Sequence, residues 1–489
     1  MPPTDEAPGV VDVDELDTDV PVTPASPSLA GGRFIPLVIG SALFVQVLDA
    51  TVITTALPSM ARALGKDPVS LNAAITAYLV GVAAFLPLAG WVADRFGAKR
   101  VFQAAILGFA LSSLACGLSQ TLPELILSRL AQGVAGSFMT PVGRLVLLRS
   151  AARGDLVRAM AWLSMPVLLG PILGPPLGGF IVTFASWRWI FFLNLPMAAI
   201  ALALNQRFLP RTPPMPVPRL DSAGLLLSGL GLGGIIYGLS NAEHAGLAAG
   251  VDGLVLGGGL IALVLYGLHA RTTANPVVDL GLLRVPTFRA AILGGLFGRL
   301  INGANPFLLA LLLQLGFGLS AFQAGLLILA NAGGAMIMRP VAPRIIRRFG
   351  FRRVLIVGAL MASATFAACA LFRPSTPHAL IVLALLAGGF FRSLQFTALN
   401  GLAYTDIPPP ALSRASTFWS VAHQVAQGLG IGLSAMLVQA FRGGGAAVLD
   451  WRAIAPAFLI VAGMSLFSLA FFAPLERDGG RALSFAAGG

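Results

Sequence analysis

Gly90-Trp91-Val92-Ala93-Asp94-Arg95-Phe96-Gly97-Ala98-Lys99-Arg100-Val101 is a charged turn between two apolar stretches. The chain writes a version of it again as Arg347-Arg348-Phe349-Gly350-Phe351-Arg352-Arg353-Val354. In both copies basic residues surround a Phe-Gly pair and apolar sequence resumes at once. A turn that recurs with its flanking apolar segments marks an internal repeat, so the fold follows from how many such segments lie between the copies.

Reading outward, apolar segments bounded by charge or Pro/Gly breaks fall near 34–56, 71–92, 101–120, 123–148, 158–183, 188–208, 221–240, 252–270, 287–315, 321–344, 353–372, 377–403, 412–440 and 452–474. Each is about the twenty residues that cross ~30 Å of hydrocarbon as a helix. The first copy of the turn follows span 2 and the second follows span 10. Two equal six-helix halves would place the echo after span 8, so spans 7 and 8 read as an insertion. The expected organisation is an all-α integral membrane fold of fourteen helices: a disordered acidic tail (1–32), a six-helix bundle (33–208), two inserted helices with their loops (209–286), a second six-helix bundle (287–474) and a short tail (475–489).

Composition agrees. The 489 residues are 56% hydrophobic and 11% charged, with a mean hydropathy of +0.85, outside the range of soluble domains. The excess of 32 Lys+Arg over 20 Asp+Glu would suggest nucleic acid in a soluble chain. Here seven of those acids lie between Asp5 and Asp19, and the bases sit in interhelical loops. The first 32 residues, acidic and proline-rich, are unlike a signal peptide. Cys116 and Cys369 both lie in apolar runs, giving neither a disulfide framework nor a metal cluster.

Short arginine-rich loops are retained in the cytoplasm. Arg95, Lys99 and Arg100 follow span 2, Arg149, Arg153 and Arg158 follow span 4, and Arg207, Arg211 and Arg219 follow span 6. Arg271 and Arg284 follow span 8, and Arg344, Arg347, Arg348, Arg352 and Arg353 follow span 10. The opposite loops hold only Arg62, Lys66, Arg188, Arg373, Arg442 and Arg452. Even-numbered loops and both termini are therefore expected on the cytoplasmic side of the membrane.

Asp49 sits midway along span 1, where an unpaired carboxylate costs several kcal/mol and must be protonated or paired. Arg129, deep in span 4, equally needs an anion and is the expected partner. A pair that forms when Asp49 ionises and loosens when it is protonated would couple proton binding to helix movement; a permanent structural ion pair is the competing reading. Asp94 with Arg95, Lys99 and Arg100, in a turn framed by Gly90 and Gly97, can latch helix ends together through charge-assisted bonds. Gly170, Gly174 and Gly178 form a small-residue ridge, and Pro171, Pro175 and Pro176 remove backbone donors, so span 5 should be bent and closely packed between halves. Further polar residues, Gln132, Arg299, Asn302, Asn305, Gln314, Arg392, Gln395 and His423, are candidates to line a central substrate cavity. Trp187 and Trp189 around Arg188 suit an interfacial anchor.

Four of these elements carry a specific resemblance. They are the Gly90 to Arg100 loop; Leu48-Asp49-Ala50-Thr51-Val52-Ile53-Thr54-Thr55-Ala56-Leu57-Pro58; Arg129-x-x-Gln132-Gly133; and Gly170-x-x-x-Gly174-Pro175-x-x-Gly178-Gly179. Together the chain resembles, over nearly its whole length, the fourteen-span drug:H⁺ antiporter family of the major facilitator superfamily. The resemblance implies export by proton exchange, with the span 5 run, Gly179 included, as the antiporter motif. It departs at Thr54, where that family usually has Asn, and at Arg347, which stands where the first half has Asp94.

The expected function is thus a cofactor-free, proton-driven exporter of small amphipathic compounds, acting as a monomer in the bilayer with no nucleic-acid partner. A physiological metabolite, such as an organic acid or metal chelate, is the alternative cargo, and a non-transporting membrane sensor is more remote. A membrane enzyme is disfavoured because the four histidines are scattered, with no acid at catalytic spacing. No Gly-rich loop followed by Lys-Ser or Lys-Thr is present to bind nucleotide.

Overall fold

The computed structural model describes residues 34–150, 156–210, 212–215, 220–240, 247–273, 276–408, 411–442 and 450–475. The expected tail 1–32, nearly all of the C-terminal tail, and the loop arginines Arg153, Arg211 and Arg219 lie outside these residues.

Among the described residues fourteen long helical segments follow one another. The first half comprises α1 (Phe34–Leu64), α2 (Asn72–Phe96), α3 (Ala98–Leu118), α4 (Leu122–Ser150), α5 (Leu156–Phe184) and α6 (Trp189–Phe208). Then come α7 (Ser222–Ser240) and α8 (Leu247–Thr272). The second half comprises α9 (Pro286–Gly316), α10 (Ala321–Met338), α11 (Ala342–Leu371), α12 (His378–Tyr404), α13 (Leu412–Phe441) and α14 (Trp451–Phe472). Eleven of these are long and apolar enough by themselves to cross a membrane. The exceptions are α4, which carries Arg129 and Arg144, and α5 and α7, whose apolar stretches are shorter. The chain is a multi-pass membrane protein.

The repeated turn is repeated geometry. Gly97 ends α2 at φ 89° and Gly350 kinks α11 at φ 75°, both left-handed conformations that a side chain would strain. The second copy differs from the expected loop: the chain breaks at Arg339–Val341, and Arg344, Arg347 and Arg348 ride on the short helix ahead of the Gly350 kink.

Packing repeats as well. The pairs α1–α5, α2–α4 and α3–α4 in the first half correspond to α9–α13, α10–α12 and α11–α12 in the second. The halves meet where α5 crosses α10 and α2 crosses α13. The α7–α8 hairpin leans through α7 against α2 and α13, and its base is clasped by Asp221 accepting from His269 at 2.7 Å.

At the end of the bundle carrying Leu64, the halves are bonded to each other. Gln314 Nε2 donates to Thr55 O at 3.0 Å, Phe322 N to Thr183 Oγ1 at 3.3 Å, and Arg442 pairs with Asp67.

Candidate functional site

Five helices of the first half converge on Asp49. Arg129 and Gln132 stand three residues apart, on one face of α4. Gly133 beside them lets α2 approach so closely that a Cβ there would lie 2.2 Å from Tyr78 O. That approach puts the Tyr78 ring 4.5 Å from the Arg129 guanidinium carbon. Arg129 Nη1 donates to Asp49 Oδ2 at 2.6 Å and to Gln132 Oε1 at 2.5 Å. Asp49 Oδ1 accepts from Gln132 Nε2 at 3.0 Å and from Asn194 Nδ2, on α6, at 2.7 Å. Both amides also donate to Ser113 Oγ on α3, at 2.7 and 3.2 Å. One turn from Asp49, Gln46 bonds Tyr78 OH, Gly136 O and Thr140 Oγ1.

The side chains of Arg129 and Asp49 are 1% and 2% exposed. Removing two ions from water costs several kcal/mol each, and the attraction repays it only with good geometry and satisfied lone pairs. Three donors on one carboxylate meet that condition for Asp49, while Arg129 keeps its Nε without a partner. A proton arriving on Asp49 would remove the charge that holds Arg129 and leave it Gln132 Oε1 as an acceptor, so the cluster has two chemically reasonable arrangements.

The second half buries a cation differently. Arg299, 1% exposed, folds back along α9. Its Nη2 reaches Ala291 O at 3.1 Å, inside the π-helical turn Ala290–Gly294. Its guanidinium carbon lies 4.0 Å from the centre of the Trp419 ring, while Nε and Nη1 have no partner. A desolvated cation–π contact supplies about 2 kcal/mol or somewhat more, which offsets only part of the several kcal/mol that burying a cation costs.

Arg392 donates to Asn331 Oδ1 at 2.6 Å and to Gly388 O at 3.2 Å. With Asn305, Thr365 and Cys369 these residues line a small cavity between α9, α10, α11 and α12. Gln395 is buried with its Nε2 unpartnered, and His423 leans on Phe396 with ring centres 5.7 Å apart. Asn302 is half-buried on α9, and Gln314 belongs to the contact between halves described above. The expected cavity residues other than Asn302 therefore fall into four separate places: Gln132 at Asp49, Arg299 with Gln395 and His423, Arg392 with Asn305, and Gln314 at the joint.

The glycine run of α5 has two faces. Cβ atoms on Gly170, Gly174 and Gly178 would strike Val47, Thr51 and Thr55 of α1, at 2.7, 2.0 and 2.5 Å, so that ridge packs within the first half. Gly179 faces the other way, where a Cβ would meet Ala321 O at 2.3 Å, and Gly325 makes the reciprocal approach to Pro175 O. Only this second face joins the halves. At the signature turn, Lys99 Nζ donates to the carbonyls of Gln206 and Leu209, at 3.1 and 2.6 Å, capping the end of α6. Asp94 O accepts from Met215 N at 2.7 Å.

The Major Facilitator Superfamily pattern matches residues 39–303 and again 290–488. The chain belongs to the major facilitator superfamily. It is 37% identical over 404 residues to the putative multidrug resistance protein MdtD of Pectobacterium atrosepticum, covering 83% of this chain and 86% of that one. The MdtD of Salmonella heidelberg is 36% identical over 407 residues, with the same coverage. Among solved structures, a D-xylose–proton symporter superposes with a TM-score of 0.66 at 15% identity, covering 93% of this chain and 99% of that one. A POT family transporter bound to 5-aminolevulinic acid also reaches 0.66 at 15% identity, covering 91% and 95%. At such identity these two structures share the superfamily's fold.

Asn194, Ser113, Tyr78 and Gln46 complete the Asp49 cluster and are not among the residues that the sequence singles out. The available signal was a hydrogen-bonding side chain inside an apolar run, which shows that a partner is needed but not which one. Trp187, expected as an anchor, is 4% exposed and covered by Arg188 at 4.5 Å. Trp189, 58% exposed, keeps the position of an anchor.

Proposed function

We propose that this transporter is a proton-coupled exporter of small amphipathic compounds, working by alternating access in a bacterial inner membrane as a monomer with both termini cytoplasmic. The observation that carries the reading is the fully buried Asp49, held by Arg129, Gln132 and Asn194 inside the first half. A carboxylate there is stable only when paired or protonated, so proton arrival and departure rearrange α1 against α4. Multidrug resistance in the names of the MdtD relatives supports a drug-like cargo.

In this reading residues 33–208 and 287–474 rock as two bodies, with 209–286 inserted between them. The bonds at the Leu64 end close the outer side, and the Gly90–Arg100 turn latches the cytoplasmic side. Gly179 and Pro175 of the antiporter motif form the rocking contact with α10. The proton gradient is the energy source, each pH unit supplying ~1.4 kcal/mol and each charge crossing 100 mV ~2.3 kcal/mol.

The test is purified protein in liposomes with an imposed pH gradient, assayed against a panel of amphipathic compounds. Wild type should accumulate at least one compound in exchange for protons, and Asp49→Asn should not. Equal gradient-driven transport by wild type and Asp49→Asn would overturn the coupling role of Asp49.

A further inference from the structure

We infer that the buried cluster around Arg299 is a binding subsite for an anionic oxygen group, a carboxylate or comparable oxyanion, carried by the exported compound. The inference rests on the export reading and narrows its substrate class. Arg299 Nε and Nη1 are buried donors without acceptors, and so is Gln395 Nε2, which packs on Gly298, one residue along α9 from Arg299. Among the described residues no carboxylate pairs with Arg299. Asp406, at the foot of α12, is taken by Thr287 at 2.8 Å.

The rest of the surroundings is also short of negative charge. His423 lies within the field of Arg299, and Tyr404 lies within the fields of both Arg299 and Arg144, the latter from the first half. A water molecule could satisfy the orphaned N–H groups but would leave the guanidinium charge uncompensated in a low-dielectric interior. An oxyanion satisfies both, because its two oxygens match the fork of an arginine and leave an acceptor for an amide.

The cluster is also built to hold this side chain. Ala291 O, at the π-helical turn, accepts from Gly295 N–H and also takes one Arg299 nitrogen, and Gly295 leaves room where a Cβ would lie 2.4 Å from Nη2. Trp419 fixes the plane of the fork while leaving its edge unpaired. Such π turns recur at functional sites.

The compensating negative charge could come from an oxyanion on the cargo or from ambient chloride, and ligand titrations separate the two. Thermal unfolding of the purified full chain would be followed in low-salt buffer against octanoate, octanamide, octylammonium and sodium chloride, for wild type, Arg299→Gln and Gln395→Leu. Octanoate alone of the three eight-carbon probes should stabilise wild type. Arg299→Gln should weaken its apparent affinity by about tenfold to a hundredfold, the loss of a charge-assisted hydrogen bond. Gln395→Leu, which keeps the charge, should weaken it less.

The assignment is overturned if octanamide matches octanoate, if Arg299→Gln responds like wild type, or if chloride stabilises as well and octanoate adds nothing. Should Arg299→Gln fold too poorly to assay, an unchanged octanoate response in Gln395→Leu together with an equal response to octanamide overturns it alone. The two readings fail separately. Gradient-driven exchange surviving in Asp49→Asn removes the coupling proposal, and octanoate binding indifferent to Arg299 removes the subsite while export stands.

Discussion

Arg129 and Arg299 are both fully buried arginines on membrane helices, each lying over an aromatic ring, Tyr78 at 4.5 Å and Trp419 at 4.0 Å, yet only Arg129 is given a carboxylate. The two halves repeat the same packing, and the same number of residues separates Gly97 from Gly350 and Cys116 from Cys369. Within that shared frame, Cys116 touches Gln132 of the Asp49 cluster, whereas Cys369 borders the Arg392 cavity, whose lining holds no acid. Duplication has therefore kept the scaffold and divided the electrostatics. The first half pairs its buried Arg129 with a carboxylate of its own, the condition under which the proposed coupling would make its equilibrium answer to protons. The second half leaves its buried Arg299 without a carboxylate among the described residues, so under the proposed subsite its equilibrium would answer to an anion supplied from outside.

Neutralising each arginine in turn tests that contrast with the largest expected effect. Arg129→Gln leaves Asp49 charged without a counter-ion, which should destabilise the unliganded protein by about 3–5 kcal/mol. Arg299→Gln removes a charge that has no partner and should leave stability unchanged or raise it. Thermal unfolding in detergent compares them directly, and equal losses would erase the distinction. The double variant Asp49→Asn with Arg129→Gln should recover most of the lost stability, because the cost lies in an uncompensated ion, without recovering proton exchange.

A single hydrogen bond should show the same contrast on a smaller scale. Asn194 donates to an ionised oxygen at 2.7 Å, so Asn194→Ala should cost about 1.5–3 kcal/mol. Gln395→Ala removes a donor that bonds nothing in this state and should cost less. Denaturant midpoints for the pair measure the difference, and a Gln395 loss as large as that of Asn194 would mean that its amide is already satisfied.

How far the sequence alone reaches depends on which physical rule each residue obeys. Lipid imposes a length on every crossing helix, so the fourteen segments are legible in order. The ends that differ most are that of α1, which runs past 56 to Leu64, and the start of α11, which begins at Ala342 rather than 353 because the basic turn is itself helical. The shift of the repeated turn from span 2 to span 10 separated α7 and α8 from the repeat. Asp49 and Arg129 stand out because charge in hydrocarbon is expensive wherever it points. Asn194, Ser113 and Tyr78 do not, since a polar side chain in an apolar helix meets its partner only through helix packing that no local pattern records. The glycine run shows the same limit. Its spacing announces a close contact, but only the packed helices reveal that Gly170, Gly174 and Gly178 face α1 while Gly179 faces α10. Trp187 was misjudged for the same reason, an interfacial composition being compatible with burial under Arg188.

If the halves are distinct electrostatic bodies, the contact between them must be thin enough to move. Gly179→Val would push a side chain into Ala321 O, where the contact is backbone and cannot yield by a rotamer change. Overpacking of this kind costs about 1–3 kcal/mol. The variant should fold with lowered thermal stability and transport slowly. Gly174→Val strains α1 against α5 inside one half, and it should lower stability without separating the halves. Distances between spin labels on α5 and α10 tell the two apart: a wider separation in Gly179→Val alone is expected, and an equal widening in both would show that the ridge is one contact rather than two.

The smallest effect belongs to Arg442 and Asp67, which bridge the halves at the Leu64 end with side chains 21% and 28% exposed. Pairs this accessible contribute about 0–1 kcal/mol, so neither Arg442→Ala nor Asp67→Ala should change the unfolding midpoint appreciably. Their consequence is conformational. The bond exists only while that end is closed, so losing it weakens the closed state alone, and 1 kcal/mol shifts a two-state equilibrium about fivefold. Reactivity of a cysteine introduced at Ser59 toward a membrane-impermeant thiol reagent would report opening, with the two native cysteines buried. Each single variant should react a few-fold faster than wild type, and the charge-reversed pair Arg442→Asp with Asp67→Arg should return toward the wild-type rate. A reversed pair that stays as reactive as the single variants would show that the bridge is incidental, and the closed end would then rest on Gln314 with Thr55 and on Thr183 with Phe322.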